Sequence, residues 1–285
     1  MEDRAEPEAI SVYAHNTYLL PSVMVAVTSA NKSCTNQHVR AACIGEEAGR
    51  HDVVALQEVW GSQVDKLDTA LRPTHNIADG CQSVGSWGFG LGIPSVIDTL
   101  RFTYNCNGGL CVSETKSKKG VTAALLDMSY RWGQGRHLLF LNTHLDPMNP
   151  DSKIAQFLVS FCAEISDQVE LQKMAVMLVG DFNIASTDRA YRTVKKILGA
   201  RDLYAEYAQR ASADEEEHYT YDCQENSLVM WQERGRIDYG WALDGLEEED
   251  VSFMPLAVDS VELTKQERGA EWSDHWAQVF RVRPK

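Results

Sequence analysis

The chain has 285 residues, 44% hydrophobic and 24% charged, which excludes a disordered chain and suits one large α/β domain or two small ones. Its 27 Lys and Arg against 41 Asp and Glu leave a formal net charge of −14, so nucleic acid is disfavoured as a partner, although a local basic patch or a bound cation can reverse the field at one site. No run approaches the ~20 apolar residues of a membrane span, so no transmembrane segment is expected.

Residues 1–10 are acidic rather than basic and then apolar, unlike a signal peptide. They read as an N-terminal extension, with residues 11–285 as a single domain, and the compartment stays open. The seven cysteines (Cys34, Cys43, Cys81, Cys106, Cys111, Cys162 and Cys223) form no CxxC pair. That argues against structural zinc and for reduced thiols, with Cys106 and Cys111 as a candidate clip.

Ser11–Leu20 begins as a strand, and Thr35–Gly49 reads as a helix with Val39, Cys43 and Ile44 inward. Asp52-Val-Val-Ala-Leu-Gln-Glu58 is an apolar run ending in a carboxylate, the pattern of a strand buried on both faces. Ser62 is placed to cap a helix whose Val64, Leu67 and Leu71 share a face. Residues 76–120, rich in glycine, read mostly as loops and short strands.

Val121–Asp127 and His137–Thr143 are strand-like, with Gly133-Gln134-Gly135 suited to a hairpin. Pro150-Asp151 opens a helix with Ile154, Phe157, Leu158, Phe161 and Ile165 at spacings of three and four. Ala175–Val179 is another buried strand, running into Gly180-Asp-Phe-Asn183, and Asp188 can cap the helix after it. Strands follow at Ile237–Leu243 and Trp276–Val282, and the acidic runs 214–217 and 247–250 read as solvated loops.

Taken singly, each polar residue at a strand end has a structural explanation: Glu58 ends a strand, Asn183 makes a turn, His144 sits in a core. Together they repeat one arrangement, an apolar strand delivering carboxylate, amide or imidazole at its tip. Hard oxygen ligands of this kind suit Mg²⁺ or Mn²⁺, with Glu58 the first candidate, while hydrolysis of a phosphate ester needs a base and charge-stabilising donors, for which His275 and His144 are available.

Ala14-His-Asn16, Leu56-Gln-Glu58, Gly109-Leu-Cys-Val-Ser113, Asn142-Thr-His144, Gly180-Asp-Phe-Asn183, Arg236-Ile-Asp-Tyr239 and Ser273-Asp-His275 occur in that order. In this the chain resembles the endonuclease/exonuclease/phosphatase (DNase I-like) superfamily. The resemblance implies an α/β four-layer sandwich, two packed β-sheets flanked by helices. It implies Glu58 as ligand to Mg²⁺ (or Mn²⁺), helped by Asn16 and Asp274, and His275 as general base paired to Asp238. It also implies that Asp181 and Asn183 orient water, phosphate or leaving group, and that His144 stabilises charge on a phosphate oxygen.

Within the superfamily the segments around Asn16, Glu58 and Gly109 are most similar to neutral and bacterial sphingomyelinases. That implies a phospholipase C acting on sphingomyelin or a related phospholipid at a membrane surface. Lys119 resembles a substrate-binding lysine, its alternative being a solvated basic loop. Trp87 and Phe89, in an uncharged glycine-rich segment, are candidate membrane contacts, their alternative being aromatics tucked into the core, and Tyr219, Tyr221 and Trp231 invite the same two readings. A nuclease, an inositol-phosphate phosphatase and a catalytically inactive lipid- or protein-binding module are the rival functions.

Overall fold

The computed structural model describes residues 7–19, 36–59, 62–77, 91–92, 95–103, 120–145, 171–214, 218–229, 231–246, 251–267 and 269–285. Ten strands and five helices organise the site: β1 (Ile10–Leu19), α1 (Gln37–Ala48), β2 (Val53–Val59), α2 (Ser62–Leu71), β3 (Ser95–Thr103), β4 (Gly120–Asp127), α3 (Ser129–Trp132), β5 (His137–His144), β6 (Met174–Asp181), α4 (Arg189–Ile197), β7 (Ala200–Asp202), α5 (Leu203–Ala211), β8 (Asp238–Leu243), β9 (Leu256–Thr264) and β10 (Ala277–Pro284).

One mixed sheet runs β9-β10-β1-β2 and continues through the short strands Leu91–Gly92 and Asn76–Ile77. The other runs β3-β4-β5-β6-β8-β7. Alternation along each strand sorts side chains between two faces. Ile10, Val12, Ala14, Val53, Ala55, Phe280 and Val282 of the first sheet meet Leu138, Phe140, Ala175, Met177 and Val179 of the second in a shared core. On the opposite faces, Tyr13, Val54 and Leu56 pack under α1 and α2, and Leu139, Leu141, Val176 and Leu178 pack with Val194 of α4. Each large apolar side chain so buried contributes roughly 1.5–3 kcal/mol, and this is the four-layer order expected.

Each sheet has a parallel pair near its centre, β1 with β2 and β5 with β6. Their C-terminal ends carry Asn16, Glu58, His144 and Asp181. β8 runs antiparallel to β6, with Asp238 opposite Asp181, so it brings its first residue to the same rim. β10 is antiparallel to β1 and is entered through His275.

Several elements differ from expectation. Val39 is 49% exposed, and Arg40, with Ala41 and Ile44, takes the inner face of α1. A buried guanidinium is stable there because it donates to the carbonyls of Thr17, Tyr18 and Trp272. Residues 95–103 are one strand rather than fragments, and β9 and α5 arise where no element is expected. In both β3 and β9 a register shift, at Val96/Asp98 and Val258/Ser260, breaks the period of two by which strands are read. α5 is started by Asp202, whose Oδ1 accepts from Ala205 N at 3.1 Å. Asp188 precedes α4 as expected, but its carboxylate accepts from Ala185 N instead of capping the helix. A helical turn, α3, precedes Gly133-Gln134-Gly135. Ser62 is the first residue of α2 rather than the residue before it. Glu8, within the expected extension, accepts from Trp132 Nε1 through its carbonyl at 3.1 Å.

The helix expected from Pro150 and the Cys106/Cys111 pair lie outside the described residues. Cys43 and Cys223 are free thiols. Among the described residues no helix is long and apolar enough to cross a membrane.

Candidate active site

The rim where the strands end brings Asn16, Glu58, His144, Asp181, Asn183, Asp238, Asp274 and His275 together. His275 Nδ1 lies 2.8 Å from Asp238 Oδ2, and its Nε2 is 3.8 Å from Asp181 Oδ2. His144 Nε2 reaches the same Asp181 oxygen at 3.5 Å, and its Nδ1 faces Glu58 Oε1 at 3.8 Å. Asn16 Nδ2 donates to Glu58 Oε1 at 3.2 Å and to Asp181 Oδ2 at 2.9 Å. Carboxylates thus alternate with imidazole and amide donors along the rim.

Backbone geometry aims these groups. Glu58 and Asn183 hold φ of 55° and 50°, a left-handed conformation costing about 1–3 kcal/mol for such residues and frequent at functional sites. Glu58 stands where the pairing of β1 with β2 jumps from Asn16–Gln57 to Leu19–Val59, and Asn183 lies two residues beyond β6. Asn183 stays there because its N–H donates to Asp181 Oδ1 at 2.8 Å and its Nδ2 to the Leu145 carbonyl at 2.8 Å.

Burial sets unusual protonation. Burial disfavours the His275 cation, but the charges of Asp238, Asp181 and Asp274 outweigh it and hold His275 well above the ordinary histidine range. Asp274 is pushed up to about 6 by burial, opposed by His275 and reinforced by the charge of Glu58. A fully enclosed carboxylate repelled by a neighbour whose side chain is 19% exposed is an arrangement that a hard divalent cation would relieve, so Glu58, Asp274 and Asn16 fit such an ion. Ligand atoms of Asp181, Asp238 and His275 also lie within 4.8 Å of one another. There the hydrogen bond between His275 and Asp238 occupies the imidazole Nδ1, which favours a base assembly over a ligand set.

At the edge of the shared core, His218 is lowered to about 3 by burial and by the charges of Arg236 and Lys265. Gln278 Nε2 lies 3.1 Å from His218 Nε2, which accepts in the neutral ring. A histidine held neutral stabilises the fold above its unfolded pKa, and the contribution is lost as pH falls from 6.5 towards 3. Each unit is worth about 1.4 kcal/mol for one such group. Urea unfolding between pH 6.5 and pH 5 is expected to show a shallower acid loss in His218→Gln than in the wild type. Comparing the two chains isolates this group, since Asp274 acts in the opposite direction below about pH 6. Parallel pH profiles would remove His218 from the effect.

The model of the Endonuclease/Exonuclease/phosphatase family matches residues 31–275. The chain belongs to this family. It is a hydrolase of phosphoester bonds, and its two mixed sheets with helices are the fold of that family. No curated protein matches the chain. Among solved structures, D. rerio TDP2 complexed with single strand DNA product is 19% identical, with a TM-score of 0.68 over 96% of this chain and 98% of that one. The endonuclease/exonuclease/phosphatase from Bacteroides vulgatus is 17% identical, with a TM-score of 0.69 over 97% and 99%. Beta toxin from Staphylococcus aureus is 15% identical, with a TM-score of 0.66 over 95% and 99%. These likenesses concern the fold.

Within this family member, all eight rim residues singled out from sequence converge, whereas Lys119, Trp87 and Phe89 lie outside the described residues. Trp231 is 65% exposed. Tyr221 is buried, its ring centroid 5.0 Å from that of His275. Supporting residues were not singled out. Gln57 Nε2 donates to Asn142 Oδ1 at 2.7 Å and Asn142 Nδ2 to the Leu56 carbonyl at 3.2 Å, tying the two sheets together beneath the rim. Thr220 Oγ1 accepts from Asp238 N, and its carbonyl from Trp276 N. Ser273 Oγ donates to the Asn16 carbonyl at 2.5 Å. The available signal was a polar residue inside an otherwise apolar strand, as in Leu56-Gln57 and Leu141-Asn142.

Proposed function

We propose that the protein is a divalent-metal-dependent phosphodiesterase, a sphingomyelinase-like phospholipase C that releases the phosphorylated head group of sphingomyelin or a related phospholipid. The observation that carries the hydrolytic part is the buried 2.8 Å bond between His275 and Asp238, with His275 Nε2 turned toward the shared rim. Glu58, with Asp274 and Asn16, would hold Mg²⁺ or Mn²⁺, which would supply positive charge against a phosphate oxygen and offset the carboxylate charge that keeps His275 protonated. In the neutral ring, His275 Nε2 then takes the proton of the attacking water, and Asp238 steadies the resulting imidazolium through Nδ1–H. Asp181 and Asn183 orient the water and phosphate, and His144 donates to a charged oxygen. No covalent intermediate is involved.

Glu58→Gln removes a negative charge from the cation site while keeping the side chain's size. The metal concentration for half-maximal activity is expected to rise by at least about tenfold. An unshifted metal titration would take Glu58 out of the ligand set.

The lipid part is supported by the segments around Asn16, Glu58 and Gly109 and by the net charge of −14, which repels polyanions. A nuclease reading is favoured by the likeness to TDP2, solved with single strand DNA product. A panel of sphingomyelin, phosphatidylcholine, single-stranded DNA and inositol polyphosphates, each with Mg²⁺ and with chelator, separates them. Head-group release from sphingomyelin, abolished by chelator, is the expected outcome. DNA cleavage without head-group release would select the nuclease, and no hydrolysis of any substrate would select an inactive binding module.

A further inference from the structure

The loop that carries His275 has little ladder of its own. Pairing of β1 with β10 stops at Ala14 opposite Gln278, and residues 272–276 lie outside the strand. Buried carbonyls released from a ladder need other donors, and here side chains supply them. Arg40 Nε donates to the Trp272 carbonyl at 2.5 Å, Asn226 Nδ2 to the Ser273 carbonyl at 2.9 Å, and His15 Nε2 lies 3.1 Å from the His275 carbonyl.

His15 differs from the other two because its partner is the carbonyl of the base itself. A carbonyl only accepts, so His15 Nε2 carries a proton. His15 Nδ1 lies 2.9 Å from the Tyr13 hydroxyl. Tyr13 and His15 stand two residues apart on one face of β1, as the strand period requires. In the neutral ring Nδ1 is an acceptor, and Tyr13 donates to it. Both residues are buried, so bulk water does not compete for either bond. The carbonyl thus fixes the Nε2–H tautomer, and the hydroxyl, able to donate or accept, meets it by donating to Nδ1.

We propose that His15, held between the Tyr13 hydroxyl and the His275 carbonyl, is a positioning residue for His275, holding the backbone from which that imidazole reaches Asp238 and the attacking water. His15 contacts neither substrate nor cation and acts only through His275. This inference rests on the reading of His275 as the base.

Two variants of the full chain separate positioning from packing. An Asn side chain places its amide near the imidazole Nδ1, keeping contact with Tyr13 but falling short of the carbonyl. Gln extends to the Nε2 position and restores the donor. With bis(p-nitrophenyl) phosphate and Mg²⁺, His15→Asn is expected to lower kcat about tenfold or more, short of the ~10²-fold that a 1 Å misplacement costs. KM should stay within about twofold, because ground-state binding is untouched. His15→Gln should recover most of the loss. A purely structural residue would lower Tm in both variants without dividing kcat from KM.

Imidazole NMR of the metal-free protein gives a readout besides turnover. His15 is expected as the Nε2–H tautomer, and the His275 Nδ1–H resonance should move in His15→Asn but not in His15→Gln. A wild-type His15 in the Nδ1–H tautomer, an unmoved His275 resonance in His15→Asn, wild-type kcat in His15→Asn, or His15→Gln as impaired as His15→Asn would each overturn the proposal. Should the variants fail to fold, the wild-type tautomer still decides it. Should the wild type hydrolyse no phosphodiester, the reading of the site fails and the NMR result alone decides the positioning role.

Discussion

His275→Ala is expected to lower kcat for phosphodiester hydrolysis by about 10²–10⁴-fold, the range contributed by a positioned general base. The variant loses the imidazole whose Nδ1 lies 2.8 Å from Asp238 Oδ2. His144 faces Glu58 and Asp181 instead, at 3.8 and 3.5 Å, and does not take its place beside Asp238. The fold should survive. Its apolar clusters do not include this side chain, and the expected cost is that of leaving buried Asp238 without its partner, about 3–5 kcal/mol. Turnover, a thermal melt and a metal titration on the same preparation test this. Near-normal kcat would remove His275 from the role of base, and a lost melting transition would show that it holds the fold instead.

Gly180→Ala is expected to lower stability by about 3 kcal/mol or more and to cost activity even where the chain remains folded. Gly180 holds φ of +139°, and a Cβ there would lie 1.9 Å from the carbonyl oxygen of Thr143. That oxygen belongs to backbone and has no rotamer by which to move aside. Thr143 and Gly180 are register partners of β5 and β6, one residue before the His144–Asp181 pair. Relief of the clash must therefore part the two strands where they deliver an imidazole and a carboxylate to the rim. A displacement of about 1 Å suffices for a ~10²-fold loss of rate. Urea unfolding and kcat measured well below the transition separate the two effects. Wild-type stability in Gly180→Ala would mean that this close approach does not exist in solution.

The polar tips of the buried strands were legible in the sequence for a simple reason. A strand covered on both faces must be apolar throughout, so a carboxylate or imidazole at its end stands out, as Glu58, His144, Asp181 and Asp238 do. The helical spacing of Val64, Leu67 and Leu71 identified α2, and the contrast of polar tip with apolar run identified the strands β2, β5, β6 and β8. It failed at β3 and β9, where a register shift interrupts the alternation. It also failed at α1, where the inward residue is Arg40, and its suitability for burial depends on carbonyls from residues 17, 18 and 272. His15, Gln57 and Asn142 sit inside the quoted motifs, yet their partners lie 260, 85 and 86 residues away in the chain.

By itself, the sequence determined that the strands β2, β5, β6 and β8 are buried and which side chains stand at their tips, properties that follow from local pattern and residue types. The family and the class of bond broken came with the resemblance that the ordered motifs carry. Only the tertiary structure decided that the C-terminal ends of two parallel pairs, one in each sheet, and the N-terminal ends of two antiparallel strands meet at a single rim. It alone gave the expected pair of His275 and Asp238 its 2.8 Å contact and enclosed Asp274 within reach of the charge of Glu58. Distance, burial and charge between residues far apart in the chain set those relations, and no local pattern encodes them.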